Sequence, residues 1–336
     1  MQQRPGSLID IEYYLPQQVV HNSYFREKFP EWNVDQTALR TGVLERHIAR
    51  QDETAYDLAL AAALKLLDKN PPLREKVDGI IFCTQSPDYV MPSNAFLLQR
   101  DLGLKKNTLA FDYNLACSGF IYGLMMATSF IRSGVACNLL LVTADTYSKH
   151  LREDDRSTRM LFGDGAAVSW IGQVDNCGAE PLIRSFGNFA LSSDGTGWDQ
   201  FVIRSGASRQ PQSCQAETDY NDKIAMNGLW VLNFVNDRVI KQLRELLASN
   251  QLEAEEIDQF FIHQASGLAL DSLGKKLKVS NDQMFSNLAS IGNTVSASVP
   301  ILIKDYFSQN TLPQGSRLLL SGFGVGYSWA SVLAIK

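Results

Sequence analysis

The chain has 336 residues, of which 45% are hydrophobic, so it can bury a large core in one domain or in two halves. Its 31 basic and 36 acidic residues give a net charge of −5, which excludes a globally basic nucleic-acid-binding protein. No apolar run is long enough to span a membrane, and the first residues lack the apolar segment of a signal peptide. We therefore expect a cytoplasmic protein with no membrane or nucleic-acid partner.

Predicted helices and strands alternate along the first half of the chain. The apolar runs and their periodicity, with turn residues at the boundaries, separate the two kinds of element. The predicted order is helix 54–69, strand 78–86, helix 92–103, strand 108–112, helix 117–134, and strands 138–145 and 166–172.

The second half repeats this order. It reads as helix 227–249, strand 257–263, helix 267–278, a short extended piece near 284–285, a helix from about 293 to 307, and strands 316–322 and 329–335. Such alternation predicts a largely parallel, helix-covered sheet in each half, with halves at 1–175 and 176–336. If a pseudo-two-fold axis relates the halves, the carboxyl ends of corresponding strands meet near that axis, where α/β folds bind ligands.

The five cysteines are scattered and odd in number, which argues against a disulfide framework or a metal site. Cys83 and Cys137 adjoin apolar strand-like runs and are predicted to be small buried hydrophobic residues. Cys177 and Cys214 lie in polar, turn-like segments and receive no role. Cys117 differs, because small residues surround it between a strand and a very apolar helix.

Cys117 is the candidate nucleophile. The N-terminus of a helix lowers the pKa of a thiol, and a nearby histidine lowers it further. His263 ends an apolar strand, whereas His21, His47 and His150 lie in polar segments typical of the surface. A buried core histidine remains an alternative for His263.

Asn293 opens a predicted helix in the second half, at the place that Cys117 holds in the first. Taken alone, this asparagine is equally typical of a helix cap. Gly324 and Gly326 can form a tight turn whose backbone N–H groups bind an oxyanion. The three reactive side chains are expected to converge on one central crevice.

Five motifs, in this order and spacing, resemble the β-ketoacyl-acyl carrier protein synthase III family. They are ACSGF (116–120), FGDG (162–165), FIHQAS (261–266), GNTVSASVP (292–300) and GFGVG (322–326), and LRTGVLERHIA (39–49) extends the likeness. The resemblance implies a homodimer of thiolase-like, five-layered αβαβα subunits with a Cys117–His263–Asn293 active site.

The resemblance also implies a two-step reaction. Cys117 takes an acyl group from an acyl-coenzyme A or acyl-carrier thioester, while the N–H groups of Cys117 and Val325 hold the oxyanion. His263 and Asn293 then bind the carbonyl of a malonyl-thioester and stabilise the enolate that forms on decarboxylation. No metal or redox cofactor is expected, because loss of carbon dioxide drives the carbon–carbon bond formation.

Several binding residues follow from the same resemblance. Arg40 matches the family's arginine near the coenzyme A phosphates, and Arg156 matches the arginine that flanks the adenine. Trp32 resembles the family's residue that packs on the other face of the adenine. However, it lies eight residues before Arg40, four more than in the family pattern. Met91 replaces an aromatic residue that projects from the partner subunit, and its flexible side chain would permit a longer or branched acyl group. Phe323, in the GFGVG motif, is the remaining substrate-binding candidate.

Carrier-protein docking is predicted less completely. Lys275 and Lys276 match a lysine pair beside the family's site, although such a pair is equally typical of a solvated helix face. Two further basic carrier-contact positions of the family are Leu268 and Asn233 in this chain. The segment 191–211 also departs from the housekeeping pattern and resembles members of specialised surface-polysaccharide or secondary-metabolite pathways.

Four other functions compete with this one. A papain-like hydrolase uses Cys, His and Asn, but the residues after Cys117 do not match its signature. A type III polyketide synthase shares the triad and typically has a longer chain. An acyltransferase that moves the acyl group from Cys117 to an amine or alcohol needs no decarboxylation. A non-catalytic partner subunit would keep the fold without the chemistry.

Overall fold

A computed structural model describes residues 6–173, 180–211 and 220–336. Cys177 and Cys214 lie outside these ranges. The strands are β1 Ser7–Tyr14, β2 Gln18–His21, β3 Glu45–Ile48, β4 Gly79–Cys83, β5 Leu109–Tyr113, β6 Asn138–Asp145, β7 Gly165–Gly172, β8 Ser185–Ser193, β9 Phe201–Val202, β10 Ala225–Met226, β11 Gln259–Ile262, β12 Arg317–Gly324 and β13 Ser328–Ile335. The α-helices are α1 Asn22–Lys28, α2 Val34–Thr41, α3 Ala55–Lys69, α4 Leu73–Lys76, α5 Asn94–Asp101, α6 Gly119–Ser133, α7 Arg156–Arg159, α8 Gly228–Phe234, α9 Ile240–Ser249, α10 Gly267–Leu277, α11 Leu288–Ile291 and α12 Ser298–Gln309.

Two sheets share one strand plan. The first has the order β1-β7-β6-β4-β5, and the second has the order β11-β12-β13-β8. Within β1-β7-β6-β4, the pairings are antiparallel, antiparallel and parallel, and β8-β13-β12-β11 repeats those directions. The predicted repetition of elements is therefore visible in the sheets, whereas the boundary at 175/176 stays a prediction, since it falls among residues outside the described ranges.

The prediction of largely parallel sheets is wrong, because both sheets are mixed. The strands β12 and β13 form a hairpin across a turn of three residues, and a short turn allows only an antiparallel pair. The sequence analysis also missed β1 and β8, each of which adds an antiparallel strand to one sheet. The extended piece near 284–285 is not a strand, although the carbonyl of Gln283 accepts a hydrogen bond from the Phe260 amide of β11.

The helices complete five layers. Helices α3 and α5 cover the outer face of the first sheet, and α9 and α10 lie beyond the second. Helices α6 and α12 lie between the sheets and contact strands of both. This arrangement confirms the predicted five-layered αβαβα fold. Among the described residues, no helix is long and apolar enough to cross a membrane.

Local sequence signals explain the element ends that matter most. Thr54 caps α3 by accepting the Asp57 amide, and the Asp57 side chain accepts the Thr54 amide in return, which forms a capping box. The residue after α6 is Gly134, whose φ of 78° lies in the left-handed region that glycine adopts without strain. The predicted helix 227–249 is continuous in position but contains a wider π-helical segment at Val235–Val239.

Two predictions about burial need correction. Cys83 is buried as expected, but Cys137 is exposed because it lies in the turn before β6 rather than inside the strand. His21 is exposed, whereas His47 and His150 are partly buried rather than on the open surface. His47 Nδ1 lies 2.6 Å from the Pro16 carbonyl, which explains how a polar segment holds its side chain inward.

Candidate active site

Cys117 lies in the junction between β5 and α6, two residues before the helix begins, and it is 5% exposed. Close backbone packing fixes this position. A Cβ atom on Gly324 would lie 3.0 Å from the Cys117 Cβ and 3.2 Å from both its Sγ and its amide nitrogen. Only glycine therefore allows the β12 backbone to pass so close to the thiol.

The electrostatics of Cys117 differ from the prediction. Burial raises the pKa of the thiol above its ordinary value, the Asp145 carboxyl raises it further, and the backbone amide of Cys117 offsets these effects only in part. The expected lowering of the pKa by the helix N-terminus is thus outweighed in the free protein. The resting side chain is a thiol, and its activation needs a proton acceptor.

His263 follows β11 directly, and its backbone amide donates to the Ser321 carbonyl of β12 at 2.9 Å. Its ring is buried and packs edge-on against Phe323, with ring centroids 5.4 Å apart. Burial lowers the pKa of His263 to about 3, so the imidazole is neutral near neutral pH. A neutral imidazole carries one acceptor and one donor, and Nδ1 has no hydrogen-bond partner among the described residues.

Asn293 precedes the 3₁₀ turn Val295–Ala297 and is not part of α12, so the predicted helix starts too early. Two hydrogen bonds orient its side chain: Oδ1 accepts the Val295 amide at 2.9 Å, and Nδ2 donates to the Ala265 carbonyl at 3.2 Å. This pattern fixes which end of the amide is nitrogen. One N–H of Nδ2 remains available for a ligand.

One cavity brings the three side chains together. Its lining consists of Cys117, Leu161, Phe162, Phe201, Met226, Val231, Phe234, His263, Ala265, Asn293, Phe323, Gly324, Val325 and Tyr327. The volume inside is only about 40 Å³. Phe201 and Val325 also line a second cavity of about 820 Å³, so the two spaces share a wall. The Val325 amide has no hydrogen-bond acceptor within the described ranges, which suits its predicted oxyanion role.

The three predicted coenzyme A-binding residues lie around one corner of the fold, away from this cavity's lining. Trp32 stacks face to face on Phe29, with centroids 4.1 Å apart and planes at 9°. One face of the indole is therefore occupied within the chain. Arg40 is exposed near the end of α2, and Arg156 opens α7. Trp32 also packs on the cluster that contains Met160, which directly follows α7.

The other predicted contacts vary in their distance from the cavity. Phe323 lines it, whereas Met91 is 80% exposed and does not line it in a single chain. Lys275 and Lys276 are exposed in the last turn of α10. Since that helix begins beside the cavity at Gly267, its rise places Lys275 about 12 Å along the axis from that end.

Sequence reasoning missed two features of the site. Phe201 and Tyr327 form part of the cavity wall, but neither belongs to a pattern that distinguishes it from an ordinary core aromatic residue. Asp145 ends β6 and is fully buried. An acidic residue that closes the otherwise apolar run NLLLVTAD was the signal that would have found it.

Family and structural comparisons place the chain among known proteins. Two segments match models of 3-oxoacyl-[acyl-carrier-protein] synthase III: residues 111–195 match one model, and 247–335 match that of the C-terminal region. A β-ketoacyl-[acyl-carrier-protein] synthase III from Caldanaerobacter subterraneus subsp. tengcongensis is 35% identical over 318 residues, covering 95% of this chain and 94% of that protein.

Further relatives show the same name and fold. A synthase III from Clostridium perfringens is 34% identical over 98% of both chains. A crystal structure of a 3-oxoacyl-(acyl-carrier-protein) synthase III superposes with a TM-score of 0.90, at 37% identity over 98% of this chain and 99% of that one. The chain belongs to the 3-oxoacyl-[acyl-carrier-protein] synthase III family. The terms 3-oxoacyl and β-ketoacyl describe the same group.

Membership of the synthase III family confirms the thiolase-like fold and the class of condensing acyltransferase. It does not favour the papain-like hydrolase or the type III polyketide synthase.

Proposed function

We propose that the chain condenses an acyl group with a malonyl-thioester and releases carbon dioxide. The observation that carries this proposal is the single cavity on which the Cys117 thiol, the His263 imidazole and the Asn293 amide converge. The substrates are an acyl-coenzyme A or acyl-carrier thioester and a malonyl-thioester. The product is a β-ketoacyl-thioester.

In the first step, neutral His263 accepts the proton of Cys117, and the thiolate attacks the acyl carbonyl. The amides of Cys117 and Val325 hold the oxyanion that develops. The thiol of the donor then leaves with a proton, and the acyl group remains on Cys117.

In the second step, the malonyl carbonyl accepts hydrogen bonds from His263 and from the free N–H of Asn293. Loss of carbon dioxide leaves an enolate, whose carbon attacks the acyl-cysteine and releases the Cys117 sulfur. The donors stabilise charge that appears only during the reaction, so they accelerate it rather than merely bind substrate. Neither step needs a metal or redox cofactor, and turnover that persists after treatment with a chelator would support this.

Intact-mass spectrometry with a panel of acyl-thioesters tests the function. We expect an acyl adduct on Cys117 that a malonyl-thioester discharges. Discharge by an amine or alcohol, with no need for a malonyl-thioester, would favour the rival acyltransferase. The absence of an adduct with every donor would contradict both.

The acyl group is proposed to be longer than acetyl. The space beside Cys117 is about 40 Å³, but the adjoining cavity of about 820 Å³ begins across Phe201 and Val325. A flexible Met91 of the partner subunit, in place of an aromatic residue, would leave that space open. Faster acylation of Cys117 by octanoyl- than by acetyl-thioester is expected, and a clear advantage for acetyl would refute it.

We also propose a homodimer. Tyr89, Val90 and Met91 form an exposed apolar run. The strand β5 is an edge strand of the first sheet, and the amide of Asn94, three residues after the run, donates to the Asp112 carboxylate of that strand. Exposed apolar runs and strand edges are surfaces that association covers. Light scattering should give about twice the mass of the chain, whereas a monomer at all concentrations would contradict this.

Arg40, Arg156 and Trp32 are proposed to hold coenzyme A, and Lys275 and Lys276 to guide an acidic carrier protein. Arg40, Lys275 and Lys276 are exposed and Arg156 is partly exposed, which supports these roles. The stack of Trp32 on Phe29 leaves at most one indole face for adenine. A cytoplasmic location belongs to the same proposal and is tested by cell fractionation.

A further inference from the structure

Asp145 is a buried acidic residue at the centre of the molecule that the proposed reaction does not use. It is 0% exposed, at the carboxyl end of β6. Among the described residues, no salt bridge joins it to a basic side chain. A buried carboxyl group without a cation is costly, so its hydrogen bonds must account for its position.

Those hydrogen bonds connect the two halves of the fold. Asp145 Oδ1 accepts the Gln85 amide at 2.8 Å, just beyond β4. On the other side, Oδ2 accepts both the hydroxyl of Ser296 and, at 3.4 Å, its amide. The carboxyl group therefore ties the end of the first sheet to a turn in the second half of the chain.

That turn is the one that carries Asn293. Ser296 lies three residues after Asn293, and Val295, between them, has a φ of 55°, which is unfavourable for a β-branched residue. The Val295 amide is the donor to Asn293 Oδ1. The contacts of Asp145 hold Ser296, the residue after Val295, in place. They therefore oppose relaxation of the strained turn, whose shape orients the Asn293 side chain.

We propose that Asp145 is a positioning residue, which fixes the 293–297 turn through Ser296 and so presents Asn293 to the malonyl carbonyl. This role rests on the proposed function of Asn293. Asp145 does not touch the substrate and acts only through the turn.

Asp145 also influences the Cys117 side of the site. Among the residues that the structure describes, the ionisable groups that interact with it are Cys83, Tyr113, Cys117, Tyr147 and Asp164, none of which is cationic. Burial raises the pKa of Asp145 to about 7, so above that pH its negative charge opposes ionisation of Cys117. Removal of the charge should favour the thiolate while loosening the turn that holds Asn293.

The test compares Asp145→Asn, Ser296→Ala and the conservative Ser296→Thr, which keeps a hydroxyl group. In hydrogen exchange, the first two variants should take up deuterium faster in 293–297, and Ser296→Thr should stay near wild type. In the assay, kcat for malonyl decarboxylation should fall about tenfold or more in the first two, with KM changed by less than about twofold. Ser296→Thr should restore most of kcat.

Alkylation of Cys117 by iodoacetamide separates the effect of the Asp145 charge from the effect of a less ordered 293–297 turn. Between about pH 7 and pH 10, Asp145→Asn should be alkylated at Cys117 faster than wild type at each pH, whereas Ser296→Ala should keep the wild-type rate. An unchanged uptake in 293–297, or an increase spread evenly over the chain, would overturn the positioning role. So would a wild-type alkylation rate in Asp145→Asn together with normal kcat.

The readouts also distinguish this proposal from the proposed function. If wild-type protein decarboxylates no malonyl-thioester, the proposed function is wrong. Faster exchange confined to 293–297 in Asp145→Asn and Ser296→Ala would still show that Asp145 stabilises the turn. If wild type is active and all three variants match it in kcat and exchange, the function stands and the positioning role fails.

Discussion

The two sides of the active site are held by different kinds of contact. The Cys117 side depends on backbone packing, since Gly324 passes within van der Waals distance of the thiol and leaves no room for a Cβ atom. The Asn293 side depends on side-chain hydrogen bonds: Asn293 donates to Ala265 and accepts from Val295, and Ser296 donates to Asp145. One side is therefore sensitive to added volume, and the other to lost polar groups.

This difference fits the two steps proposed for the site. Acyl capture needs a nucleophile and two amides in fixed geometry, which rigid backbone supplies. Decarboxylation needs donors on side chains that meet a second substrate after the first has bound. The comparison predicts that variants on either side should damage one step and spare the other.

The largest effect is expected for Cys117→Ala. Without the thiol, acylation should vanish, a loss of about 10³-fold or more in condensation. Decarboxylation of the malonyl-thioester should persist, because His263 and Asn293 are intact. Intact mass measures acylation, and carbon dioxide release measures decarboxylation. Loss of both activities in Cys117→Ala would contradict the assignment of the two steps to different side chains.

Asn293→Ala should show the converse. The Cys117 adduct should form at close to the wild-type rate, while decarboxylation falls about 10²- to 10³-fold because one donor to the enolate is gone. Single-turnover acylation with the same donor is the control. An equal loss in both steps would mean that Asn293 supports the fold of the site rather than the enolate.

Gly324→Ala should slow acylation about tenfold or more, because its Cβ atom would lie 3.0 Å from that of Cys117 and 3.2 Å from the thiol sulfur and amide. Gly195→Ala is the matched control, since a Cβ atom there meets nothing within 4 Å. Single-turnover acylation measures the effect. Equal rates in the two variants would contradict the packing account.

The pH dependence should show no titration of His263 between about pH 5 and pH 8. Burial holds its pKa at about 3, so the imidazole is neutral across that range. Burial raises the pKa of Cys117, so alkylation of this thiol should keep increasing above neutral pH. A midpoint for Cys117 alkylation below its ordinary range would show that the thiol is already ionised in the free protein, which would contradict this prediction.

The smallest effect is expected far from the cavity. Reversal of Lys275 and Lys276 to glutamate should reduce carrier-dependent turnover a few-fold at low salt, and turnover with coenzyme A substrates should not change. The same reversal at Lys105 and Lys106, an exposed pair in the first half, is the control. Equal effects of the two pairs would remove the specific docking role.

The sequence predicted the elements better than their pairing. Helix α3 and strand β6 lie almost where the patterns place them, because their apolar periodicity and capping residues are local signals. Strands β1 and β8 were missed, and so were their antiparallel pairings with β7 and β13. The direction of a strand in a sheet depends on which distant segments meet, and no local pattern gives this.

The same limit applies to the site. The motifs around Cys117, His263 and Asn293 are local, and the repeated order of elements was enough to predict that these residues meet. The contact of Asp145 with Ser296 spans 151 positions, and neither residue has a neighbour pattern that identifies the other. The raised pKa of Cys117 also depends on burial, which the helix N-terminus alone does not reveal.

The most direct test of the central claim is a single-turnover experiment on protein acylated at Cys117. After mixing with a malonyl-thioester, loss of the adduct and release of carbon dioxide are measured in the same reaction. We predict one carbon dioxide for each adduct lost, with a β-ketoacyl-thioester as the product. Loss of the adduct without carbon dioxide, or transfer of the acyl group to another nucleophile, would contradict the account.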